Sequence, residues 1–154
     1  MSLTRHFSLF ELTRTDTGLD NTPGPRDLDN LLLLAGMLER VRAVLGDQPI
    51  AISSGYRSAA VNAQVGGSQT SAHRHGLAAD FTCRHYGTPR DICEALIAAD
   101  LPFDQLILEF PSRVNGQGGD WVHLGLPRVG APRRQVLTSV RDMGRAVRYV
   151  QGLL

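Results

Sequence analysis

Residues 66–81 read GGSQTSAHRHGLAADF. The stretch sets His73, His75 and Asp80 around Gly76 and carries no helical apolar face. Two readings compete: a metal site, or a polar loop running into a strand. His73 and Asp80 are seven residues apart. On one helix they would sit two turns apart on the same side, too far to share an ion. Across a turn at Gly76 that enters a strand, the chain folds back and the two side chains converge. Ala78 and Ala79 leave room for close packing, and "LAADFTC" has strand character. The stretch therefore reads as a turn leading into a strand.

On its N-terminal side, "TGLDNTPGPRD" (17–27) is rich in turn residues. In "LDNLLLLAGMLERVRAVLG", Leu28, Leu31, Leu32, Met37, Leu38, Val41, Val44 and Leu45 recur at three- and four-residue steps. That pattern predicts the main core helix, stopped by Gly46 and Pro49. "IAISSGY" reads as a short strand, and "SAAVNAQVG" as a short helix capped by Ser58. On the C-terminal side, "TPRDICEALIAAD" is a helix with Thr88 as N-cap and Pro89 at its first position. "DQLILEF" and "WVHLGL" are strands joined by the glycine-rich "PSRVNGQGGD", and "RQVLTSV" is a further short strand. The last dozen residues show no assignable pattern. Helices come early and strands late. The expected fold is α+β, with a mainly antiparallel sheet and flanking helices in one domain over 1–154, residues 1–26 being an arm packed on it.

The chain has 154 residues, enough for one domain with a real core. The net charge of +1 argues against a nucleic-acid or anionic-membrane partner. All 16 basic residues are arginine, and six of them fall between Arg128 and Arg148. Cys83 and Cys93 form neither a zinc ribbon nor a redox pair and read as buried thiols. "MSLTRHFSLFELTRTD" lacks an apolar signal core, so synthesis in the cytoplasm and no stable membrane insertion are expected. Nothing demands a dimer.

A zinc hydrolase site takes three protein ligands and keeps a position open for water. With His73 and Asp80 in place, His123 in "DWVHLGL" is the best third ligand, because an unpaired imidazole in an apolar strand would be costly. His75 is a weaker candidate, and His6 and His85 read as surface residues. Asp120, three residues before His123, is the candidate general base, and Glu109 at the end of "DQLILEF" is its rival.

"SAHRHGLAAD" resembles the Ser-x-His-x-x-Gly-x-Ala-x-Asp signature of the zinc D-Ala-D-Ala carboxypeptidase family, which includes phage L-alanyl-D-glutamate endopeptidases and shares its fold with the hedgehog signalling domain. "DWVH" and "SSGYRS" resemble two further motifs of that family, and "FSLFELTRTDTGLDNTP" resembles the N-terminal run of its phage and prophage members. The resemblance implies one zinc ion on His73, Asp80 and His123, with Asp120 as general acid/base where relatives often carry glutamate. It keeps Glu109 as the alternative base, and it places Arg57 at the scissile carbonyl or a substrate carboxylate. Ser71 and, more weakly, Gln64 become substrate-binding residues. The implied substrate is the peptide stem or cross-link of bacterial peptidoglycan, reached after release from the cytoplasm. The competing expectation is a zinc-containing binding or structural module of the same fold, which keeps the metal and turns nothing over.

Overall fold

The computed structural model describes residues 1–112, 120–141 and 146–154. Their elements run α1 (Leu9–Thr13), α2 (Pro25–Val44), β1 (Ala51–Ser54), α3 (Ala59–Gln64), a 3-10 turn (Ala72–His75), β2 (Ala78–Thr82), α4 (Pro89–Ala98), β3 (Gln105–Glu109), β4 (Trp121–Gly125), β5 (Gln135–Arg141) and β6 (Val147–Gln151). The strands form one six-stranded sheet in the order β1-β2-β4-β3-β5-β6. Pairing is antiparallel throughout except between β3 and β5, which run parallel. The fold is thus the α+β arrangement expected, with a mixed but mainly antiparallel sheet.

Helix α2 starts at Pro25, inside the stretch expected to be a turn. Proline's fixed φ suits the first helical position, and the Asp27 carboxylate accepts from the Gly24 N–H at 3.3 Å. Its buried stripe is Leu31, Leu34, Ala35, Met37, Leu38 and Val41. Leu32, expected in that stripe, is exposed, as is Leu33. Four consecutive leucines spaced 100° apart cannot share one face, and the core takes the first and the last. In α4, Thr88 and Asp91 form a reciprocal cap, and Ile92, Cys93 and Leu96 are buried. Cys83 and Cys93 are buried free thiols, and burial pushes Cys93 up to about 12.

These two helices cover one face of the sheet. Ala79, Phe81, Leu106, Leu108, Val122 and Leu124 project from it into the same core as Leu34, Leu38 and Leu96. Because side chains alternate along a strand, the residues between them face the other way. Asp80, Ile107, Glu109, Trp121 and His123 therefore share the opposite face, which is open.

Two elements have no counterpart among the segments expected from the sequence. The N-terminal arm contains α1, capped reciprocally by Ser8 and Glu11. It docks through Phe7 and Leu12 in the core and through the Tyr56 N–H, which donates to the Leu12 carbonyl at 2.7 Å. Gly55 permits that approach, since a Cβ there would overlap the Leu12 backbone. The unassigned C-terminus supplies β6, paired antiparallel with β5. It is mostly exposed, so it lacks the apolar alternation that marks a half-buried strand. The glycine-rich connection expected over 111–120 lies largely outside the described residues.

Candidate metal centre and cleft

The segment around His73 folds as a 3-10 turn followed by β2. The Ser71 hydroxyl accepts from the His73 N–H at 3.3 Å and starts the turn. Gly76 ends it with φ +67°, a conformation that disfavours any side chain. A Cβ at this position would also lie 2.8 Å from the Asp27 carbonyl and 2.9 Å from Leu31. The reversal lets β2 leave with Asp80 directly opposite His123 on β4. His73, Asp80 and His123 are all buried, and one ligand atom from each lies within 4.8 Å of the others. The Asp80 Oδ1 is 3.2 Å from His73 Nε2 and 2.9 Å from His123 Nδ1.

His73 Nδ1 is 2.7 Å from the Gly55 carbonyl. A carbonyl only accepts, so Nδ1 carries the proton and Nε2 keeps its lone pair for the centre. Burial holds the His73 imidazole below its ordinary pKa, against the pull of Asp80, so it stays neutral and able to ligate. Burial also works against a charge on Asp80. The two neighbouring imidazoles outweigh it and hold the carboxyl well below the usual range. Arg57 closes the other side of this carboxylate. Its Nη2 donates to Asp80 Oδ2 at 3.2 Å, its Nε to Ser54 Oγ at 2.9 Å and its Nη1 to Asn62 Oδ1 at 3.4 Å.

Two imidazoles and one carboxylate on separate elements are a donor set that zinc accepts while leaving a position open for water. Among the described residues no other such group occurs, and His75 is not part of this one. His85 is exposed, and His6, expected at the surface, is half-buried with its Nδ1 2.7 Å from Glu39.

The centre lies in a cleft of about 770 Å³ whose lining includes Arg57, Ser71, Glu109 and Trp121. Glu109 is buried on β3, paired with Trp121 and one inward-facing row from His123. On its other side it is in register with Ser139 of β5. The Ser139 hydroxyl donates to the Glu109 carboxylate and accepts from the Phe110 N–H at 3.0 Å. Phe110 sits at φ +47°, so this one hydroxyl secures both a strained backbone and a carboxylate rotamer. Burial raises the pKa of Glu109, and the Ser139 bond opposes that rise.

Asp120 is placed differently. Its Oδ1 accepts from the Ser112 N–H and hydroxyl, each at 2.7 Å, and it is not among the described residues lining the cleft. Gln64 lines a separate cavity of about 560 Å³ on the far side of Arg57. Of the residues singled out from sequence, the fold therefore gathers His73, Asp80, His123, Arg57, Ser71 and Glu109, and leaves out Asp120 and Gln64. Ser139 was not foreseen, because its meaning depends on a parallel β3–β5 pairing between segments 30 residues apart.

The sequence profile of the family described as Peptidase M15 matches residues 5–114, more than half of the chain. The protein belongs to that family, a class of metallopeptidases whose zinc chemistry suits the His73–Asp80–His123 set. A zinc D-Ala-D-Ala carboxypeptidase of Streptomyces albus G is 41% identical over 52 residues, which cover 34% of this chain. The match spans only 20% of that relative's length. One zinc ion is the cofactor consistent with both comparisons and with the donor set.

Proposed function

We propose that the protein is a zinc-dependent peptidase that hydrolyses a peptide bond in the stem or cross-link of bacterial peptidoglycan, as a D,D- or L,D-type carboxy- or endopeptidase. The observation that carries this reading is a buried carboxylate, Glu109, lining the same open cleft as the His–Asp–His centre. When bound, zinc would acidify a water and polarise the scissile carbonyl.

Glu109 takes the proton of the attacking water and returns it to the leaving amine. Its raised pKa suits both halves of that exchange. Arg57 holds Asp80 in its ligating orientation and lends positive charge to the side of the cleft where an oxyanion develops. Ser71 fixes the His73 turn while its side chain borders the substrate path. Asp120, which accepts from Ser112 beside the start of β4, is the alternative base.

The resemblance of the N-terminal run to phage and prophage proteins supports a lysis role, with monomeric enzyme released onto the wall from the cytoplasm. No helix among the described residues is long and apolar enough to cross a membrane. The test is digestion of purified sacculi by zinc-loaded protein, with mass spectrometry of the products. New amine ends that disappear with chelator are expected, and the fragment masses name the bond. Intact sacculi after treatment with a protein that holds one zinc would refute the assignment.

A further inference from the structure

The match to the family ends at residue 114, before β4, β5 and β6 begin. Yet β5 and β6 build one whole wall of the cleft. Gln135, Leu137 and Arg141 of β5 and Val147 and Tyr149 of β6 line the same space as His73, Asp80, His123 and Glu109. The register explains why. Trp121, Glu109, Ser139 and Tyr149 stand directly opposite one another on β4, β3, β5 and β6, a single row across four strands. Residues paired in this way point to the same face.

Tyr149 is 56% exposed although it carries a large apolar ring, and Val147 beside it is 41% exposed. A half-exposed aromatic thus stands at the end of a row that contains the candidate base. Its hydroxyl is held above its ordinary pKa by burial and then by the charges of Glu109 and Asp80, so it remains protonated and can donate. Next to it, the Arg141 guanidinium lies 4.5 Å over the Phe110 ring, which adds positive charge to this wall. Stem peptides carry carboxylates and amides, the partners that such a wall would recognise.

We propose that the paired strands β5 and β6 form a substrate-binding wall and that Tyr149 contacts the stem peptide bound across the metal centre. Its ring would pack against the peptide while its hydroxyl donates to a peptide carbonyl or carboxylate. This inference rests on the peptidoglycan reading. It adds a specificity-determining residue outside the part of the chain that matches the family.

The test uses Trp121, the single tryptophan of the chain and a lining residue of the cleft, as the reporter. Zinc-loaded Glu109→Gln protein, chosen to suppress turnover, is titrated with stem-peptide dimers released from sacculi by an amidase. In that background Tyr149→Ala is expected to raise Kd by about tenfold, and Tyr149→Phe by a smaller factor, as for removal of an anchoring aromatic and of one hydrogen bond. Zinc content is expected to be unchanged. Tyr86→Ala, an exposed tyrosine outside the cleft, is expected to leave Kd unaltered. Unchanged affinity in Tyr149→Ala, with dimers still bound, would overturn the wall assignment and leave the peptidase reading intact. Should Tyr149→Ala fail to fold, Tyr149→Phe decides in its place, and unchanged affinity there would overturn the assignment equally. No binding of dimers by any form, together with intact sacculi, would overturn the peptidoglycan reading and this assignment with it.

Discussion

At the scale of single residues, the site turns on two carboxylates that the sequence presents as rivals. Asp120 is closer to His123 in sequence, but it precedes β4, bonds to Ser112 and is not among the described residues lining the cleft. Glu109 is farther in sequence yet lines the cleft, because β3 and β4 pair antiparallel with Glu109 opposite Trp121. Replacing Glu109 with Gln should lower kcat by about 10²- to 10⁴-fold, the usual contribution of a general base, with zinc retained. Asp120→Asn should leave kcat near that of the wild type and cost only local stability. Steady-state kinetics on a released stem peptide separates the two. The pH profile gives a finer test. Activity requires the Glu109 carboxylate ionised, so it is lost as pH falls through a pKa that burial has raised. Ser139→Ala removes a donor that favours the ionised form. The acid limb of kcat/KM should therefore move to higher pH, and a limb that stayed in place or moved lower would exclude Ser139 from positioning the base. The residues of the candidate metal centre were legible because Gly76 stands between His73 and Asp80 and forces a reversal. Ser139 and Tyr149 were not, since each acquires its role from strands that meet only in the folded sheet.

At the scale of elements, the His73–Asp80 segment works because a tight turn and a strand share one glycine. Gly76→Ala would place a side chain at φ +67° and against the Asp27 carbonyl. The expected cost is about 1–3 kcal/mol in urea unfolding, with weakened zinc affinity because His73 and Asp80 no longer converge. Wild-type stability and zinc content in that variant would show that the turn does not set the centre. The helices α2 and α4 were readable from periodicity and capping residues, which act locally. Helix α1 is only five residues long, too short for a periodic signal. Strand β6 escaped notice because its face toward the cleft is exposed.

At the scale of the whole molecule, the centre joins parts of the chain that are far apart in sequence. His73 is tied to Gly55, Asp80 to Arg57 and His123, and the N-terminal arm to Tyr56 through Leu12. A metal that binds only this folded arrangement stabilises all of it. Saturating zinc at 1,000 times its Kd would add about 4 kcal/mol, so chelation should lower Tm by several degrees. His123→Ala should abolish that difference between zinc-loaded and chelated samples. The overall class was legible from the order of helices and strands, whereas the β4-β3-β5 crossover was hidden, because sequence order does not reveal which strand lies beside which.

The most direct measurement is zinc content and release of new amine ends from sacculi, determined on the same preparations of wild type, Glu109→Gln and Asp120→Asn. The account predicts one zinc in all three, with cleavage by the wild type and Asp120→Asn and none above background by Glu109→Gln. Cleavage by zinc-loaded Glu109→Gln at the wild-type rate, or its loss in Asp120→Asn alone, would contradict it.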